Sequence, residues 1–215
     1  MPKQKRKRLP QPYHHGDLAA ALIAAAGTIL AERGLDGFTL RECARRADVS
    51  HAAPAHHFGD ANGLLTAVAT SGYQQLTQAM REAAEREKDR GTALVAIGVA
   101  YVGFALTHPA LFRLMFHSDR LDRTDEAFRV AGKAAFEVLS GRLAAVRGRE
   151  TQLSPPETGR DATLLRAWAV VHGMATLAIE GRLGPRGKTH DRELLDTVRA
   201  ALSMQTDAYR RENGG

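Results

Sequence analysis

Three histidines, His51, His56 and His57, fall within the stretch VSHAAPAHHFGD, residues 49–60. An imidazole can ligate a metal, move a proton or meet a phosphate, and spacing separates these roles. His51 and His56 stand five apart and His56 adjoins His57. Neither pair has the i, i+4 spacing that sets two imidazoles on one helix face, and no cysteine or carboxylate stands nearby at ligand spacing. No metal is expected there. A Ser-His-Asp order, a paired-carboxylate motif and a Gly-x-Ser-x-Gly elbow are all missing from the sequence, which therefore predicts no enzyme. The segment GRLGPRGKT, residues 181–189, superficially resembles a phosphate-binding loop, but its glycines Gly181 and Gly187 enclose five residues rather than four. It follows a helical pattern, not a strand, and reads as an interhelix turn; no cofactor is expected.

Charge supplies a second kind of chemistry. The net charge of +6 points toward a polyanion, and its position is informative: Lys3, Lys5, Arg6, Lys7 and Arg8 precede the first acid, Asp17. Such a run is either a solubilising tail or an arm laid on nucleic acid. Within residues 1–70 there are nine Lys or Arg against six Asp or Glu, so the region is net positive only because of that arm.

The elements that must position these groups are helical. Only 6% of residues are aromatic and alanine dominates the apolar set, which favours helices over strands; the expected fold is all-α. Breakers cut the chain into blocks at about 17–33, then a short helix after the N-cap Thr39, a second short helix capped by Ser50, and long blocks at 61–88 and 92–107. A short helix opens at Pro109, and further blocks run over 122–147, 161–183 and 190–211. Residues 148–160, with consecutive prolines, form the clearest loop. Cys43 is the one cysteine and cannot form an intramolecular disulfide, which fits a reducing cytoplasm. The basic start followed by apolar residues 18–31 imitates a signal peptide, but Pro10, Pro12, two histidines and Asp17 intervene and the run passes into AERG. The longest other apolar run, residues 93–106, has fourteen residues, short of a membrane span.

Thr39 to Phe58 has the layout of a helix-turn-helix: a short support helix, a turn with Val49 inward, and a second helix with small or polar outward residues, closed by Phe58. An ordinary helical hairpin shares this pattern. In the second helix, alanine methyls suit thymine methyls, and the histidines are its strongest polar groups, since it has neither Lys nor Arg.

The residues then carry a resemblance. YHHGDL followed by ILAERGLDGFTLRECARRADVSHAAPAHHF resembles the N-terminal DNA-binding domain of TetR/AcrR-type transcriptional regulators, with Gly34, Phe38, Thr39, Ala44, Ala47, Val49, Ser50, His57 and Phe58 at the family's spacing. HPALFRLMF and WAVVHGMATLAIEGRL resemble the ligand and dimer domain of a subgroup named for its Trp-His-Gly signature, here Trp168, His172 and Gly173. The resemblance implies a basic arm over residues 1–12, a DNA-binding domain over 13–60 and a helical effector-binding and dimerisation domain over 61–211. It implies a ligand-responsive homodimeric repressor, released from a palindromic double-stranded operator by a small apolar effector. The competing reading is a helical small-molecule-binding protein, or an activator that does not repress.

The roles that follow are those of the family's matching positions. Thr39 caps the support helix and touches a phosphate, and Arg41 lies near the backbone. Ser50, His51, Ala52, Ala53, His56 and His57 enter or flank the major groove, and Lys5, Arg6, Lys7 and Arg8 add contacts from the arm. Ala55 stands where the family usually has a DNA-contacting tyrosine, and Ala61-Asn62 replace a Lys-Glu pair. Candidates for an effector pocket are Tyr101, Phe104, His108, Phe112, Met115, Phe116, Phe136, Trp168, His172 and Met174, a set equally suited to a plain core. The last two helices, with Ala169, Gly173, Ala175 and Ala201 permitting close approach, are expected to pair with those of a second chain.

Overall fold

The computed structural model describes residues 15–148 and 161–212. Every regular element among them is a helix: α1 (His15–Arg33), α2 (Leu40–Arg46), α3 (Ala53–Phe58), α4 (Ala61–Glu85), α5 (Arg90–Thr107), α6 (Pro109–His117), α7 (Glu126–Val146), α8 (Ala162–Ile179) and α9 (Lys188–Glu212). The all-α expectation holds. The basic arm, and nearly all of the proline-rich loop expected over 148–160, lie outside the described residues.

Local chemistry sets most boundaries. α1 stops where Gly34 takes φ +67° and its N–H returns to the Leu30 carbonyl at 2.9 Å, a conformation that favours glycine. Side-chain caps start α2 (Thr39), α4 (Asp60), α5 (Asp89), α7 (Asp125) and α8 (Asp161), each oxygen accepting a backbone N–H of the first turn. Pro109 sits in the first turn of α6, where its missing N–H costs nothing. Several expected bounds shift. The block expected over 61–88 ends at Glu85, and that expected over 122–147 begins only at Glu126, because Asp122 is spent on a turn, accepting from the backbone N–H and the hydroxyl of Thr124.

The three-helix head packs through Leu22, Ala26, Ile29, Phe38 and Cys43, all buried, against α4. Burying a Leu, Ile or Phe side chain contributes about 1.5–3 kcal/mol, so these few residues fix the head's shape. Behind it α5 is the central strut, packed by α4, α7, α8 and α9. By length and composition alone α5 and α8 are each long and apolar enough to cross a membrane, contrary to the expectation drawn from uninterrupted runs. For α5 the reason is its place in the core, where 67% of its residues are buried; for α8 the share is 33%, and Leu165, Ala169 and Leu177 among the rest are exposed.

Candidate functional site

The head presents one helix to solvent. Ala47 closes α2, Asp48 turns the chain at φ +54°, and Val49 points inward, its N–H bonded to the Ala44 carbonyl at 3.0 Å. The expected Ser50 cap is not formed. α3 begins at Ala53 with Ala52 at the N-cap position and no side-chain cap, because the chain makes one more turn, Ala53 N–H to Ser50 carbonyl at 3.0 Å. Ser50, His51 and Ala52 therefore precede the second helix rather than belong to it. Pro54 falls in the first turn of α3 and is buried, which anchors the helix while Ala55, His56 and His57 stay exposed. Thr39 and Arg41 are exposed on the same head and Ala53 is half-buried. Lys5, Arg6, Lys7 and Arg8 lie outside the described residues.

Among the described residues of the head, Arg33, Arg45 and Arg46 are occupied. Arg45 and Arg46 hold Glu42 at 2.8 and 3.0 Å, and Arg46 also reaches Glu32 at 2.6 Å. The Arg45 hydrogen bond, then that of Arg46, holds the Glu42 carboxyl down at about 2. Glu32 is likewise lowered, chiefly by Arg46. Arg41 forms no ion pair among the described residues, which leaves its charge available to an outside anion.

A cavity of about 720 Å³ opens between α4, α5, α7, α8 and α9, a size that suits a drug-sized molecule. Of the ten candidates, Tyr101, Phe116, Phe136 and Trp168 line it. Phe104, His108, Phe112, Met115, His172 and Met174 do not. Phe112 and Met115 are core residues, and Phe104 stacks on exposed His108 at 4.8 Å. Residues not anticipated complete the wall: Tyr73 and Met80 from α4, and Gln205, Thr206 and Tyr209 from α9. The charged residues Glu126, Arg129 and Lys133 line it from α7, all exposed.

At one wall a hydrogen bond leaves the cavity. The Tyr101 hydroxyl lies 2.9 Å from Nδ1 of His172, and the Trp168 ring on the same wall lies 5.8 Å from the His172 ring. Either group can donate in this pair, the hydroxyl to a bare Nδ1 or a protonated Nδ1 to the hydroxyl oxygen. Burial, and then His117, lowers the His172 pKa and keeps the ring neutral; burial raises that of Tyr101.

The two halves match two family models: residues 22–68 match the TetR family of bacterial regulatory proteins, and residues 94–202 the tetracyclin repressor-like C-terminal domain. The chain belongs to the TetR family. A solved protein of unknown function from Rhodococcus sp. RHA1 is 36% identical, with 96% of this chain and 100% of that one covered at a TM-score of 0.72. A TetR-family transcriptional regulator from Streptomyces coelicolor is 21% identical over 89% and 99% of the two chains, TM-score 0.58. A single-residue TetR variant from Acinetobacter baumannii AYE, solved in complex with minocycline, is 18% identical over 91% and 98%, TM-score 0.59. This TetR-family chain thus combines a helix-turn-helix DNA-binding domain with a helical ligand-binding domain, the class of a transcription regulator.

Gly63 is a packing position of this TetR head that composition did not reveal. A Cβ there would stand 2.0 Å from the Phe58 carbonyl oxygen, so glycine is what lets the first turn of α4 lie against the end of α3. The motif spacing carried no sign of it, since the contact is between backbones.

Proposed function

We propose that this regulator is a homodimeric repressor that leaves a palindromic operator when a small apolar effector fills the cavity. The observation that carries this reading is the aromatic-walled cavity placed directly behind a DNA-binding head. In this reading residues 1–12 are the arm, 13–60 the DNA-binding domain and 61–211 the effector and dimer domain, and the chain works in the cytoplasm. Trp168, His172 and Gly173 make it a member of the Trp-His-Gly subgroup. Exposed Arg41 and Thr39 take phosphates, His51, His56 and His57 border the groove, and the methyls of Ala52, Ala53 and Ala55 meet base edges. A two-fold dimer sets its reading helices about 34 Å apart, one turn of DNA. The effector acts through its differential affinity for two head spacings. The test is a gel shift with the DNA flanking its own gene, with and without candidate ligands. A shift relieved by ligand is expected, and no shift at low salt refutes the regulator reading. A shift that ligand strengthens favours the activator alternative.

A further inference from the structure

We propose that Tyr101 donates its hydroxyl proton to Nδ1 of His172, that this hydrogen bond is the cavity's occupancy sensor, and that the effector class it answers to carries a hydrogen-bond acceptor on an apolar body. This rests on the reading of the cavity as the effector site. Tyr101 and Trp168 line the cavity while His172 lies behind them. The side chains lining the cavity wall proper are uncharged, and the charged ones stand on α7 and are exposed; the buried body of a ligand is therefore neutral or apolar.

The tyrosine hydroxyl owns one proton. While the cavity holds no acceptor, that proton goes to Nδ1 of His172. A carbonyl or ether oxygen arriving beside Tyr101 competes for it, and His172 loses its donor. A buried ring nitrogen without a partner is costly, so the ring turns and takes a proton from solvent, becoming an imidazolium that donates from Nδ1. Binding of an acceptor is then linked to the uptake of one proton, and affinity rises as pH falls. The titratable groups facing His172 are Tyr101 from α5 and His117 from α6, and Tyr73 on α4 acts in turn on Tyr101.

His172 is also one point where α8 meets α6, beside the Arg113 hydrogen bond to the Ile179 carbonyl. Its ring stacks on Phe112 at 5.5 Å, meets Phe116 edge-on at 4.8 Å and lies 6.0 Å from His117. Helix α6 packs on α1 and α4. The segment after it is tied to the start of α4: Arg120 Nε donates to the Asn62 Oδ1 at 3.2 Å, and the Asp122 N–H to the Thr66 hydroxyl at 2.9 Å. Asn62 adjoins Gly63, the contact point of α3. A turn of the His172 ring therefore displaces side chains on a helix that borders the head.

The experiment uses two flat probes of nearly one shape in the full-length chain, 9-fluorenone with a carbonyl and fluorene with a methylene. Affinity is read by calorimetry, the His172 ring by nitrogen NMR, and operator affinity by gel shift. In the wild type, fluorenone shifts the Nδ1 signal and lowers operator affinity about tenfold, and its own affinity rises from about pH 8 to about pH 5.5; fluorene does none of these. Tyr101→Phe still binds both probes but loses the operator response. His172→Gln keeps an acceptor for Tyr101, so it keeps a response but loses the pH dependence. Equal effects of the two probes, an unmoved Nδ1 signal, or no binding of either probe overturns the proposal. Since the ligand-free gel shift does not involve the cavity, failure of the sensor and failure of the regulator reading are distinguishable.

Discussion

Asp48 holds φ +54° in the turn between α2 and α3. Aspartate tolerates this left-handed conformation better than most residues, and a β-branched side chain hardly at all. Asp48→Val should therefore destabilise the protein by about 1–3 kcal/mol in chemical denaturation, with loss of operator binding, whereas Asp48→Gly should be nearly neutral. Equal stability of the two variants would show that the turn is not strained there. A second residue, Glu42, engages Arg45 and Arg46, so that of the three α2 arginines Arg41 alone forms no ion pair among the described residues. With its pKa depressed to about 2 by Arg45 first and Arg46 next, its stabilising clamp is fully present above the ordinary glutamate range and is lost only as pH falls through about 2. At every pH suited to DNA binding, Arg45 and Arg46 remain engaged.

At the scale of elements, the coupling of α3 to α4 is the contact most sensitive to change. Gly63→Ala would set a Cβ 2.0 Å from the Phe58 carbonyl, and that backbone cannot swing aside as a flexible side chain would. The expected cost is about 1–3 kcal/mol, read as a lowered Tm, with operator affinity down at least tenfold; an unchanged gel shift would show that the reading helix does not depend on this packing. The helices themselves were legible in the sequence because apolar periodicity and caps such as Thr39 are local signals. The start of α3 was not, since Ser50 has the right side chain for a cap while the backbone places one more turn before Ala53. The cavity was half legible. Aromatic composition singled out Tyr101, Phe116, Phe136 and Trp168, but it cannot tell wall from core, which depends on how helices rotate; Phe112 and Met115 share the composition and face the core. The α9 wall left a readable trace: Leu202, Thr206 and Tyr209 recur at helical spacing and are 7%, 4% and 1% exposed.

At the scale of the whole molecule, α8 is an apolar helix of which only a third is buried. Leu165, Ala169, Gly173 and Leu177 succeed one another at four-residue steps, with Leu165 45% and Leu177 43% exposed, and Met204 of α9 is 74% exposed. An added Cβ at Gly173 would meet nothing within 4 Å, so glycine there serves no contact inside the chain. Ala175, which the small-residue pattern had assigned to the partner, is instead 0% exposed within its own core. A contiguous apolar stripe on the outside of a folded domain marks an association surface, and a two-fold pairing places the same stripe on both subunits. The double variant Leu165→Glu with Leu177→Glu puts like charges face to face across such an interface without touching the core. It should sediment with the mass of one chain where the parent has that of two, with unchanged helical circular dichroism. A single head then has to find its half-site alone. Without the effective concentration supplied by its twin, operator affinity should fall about a hundredfold or more, while each subunit keeps its cavity and its affinity for fluorenone. A variant that remains a dimer, or a monomer that grips the operator as tightly as the parent, would remove α8 from the interface and the palindrome from the mechanism.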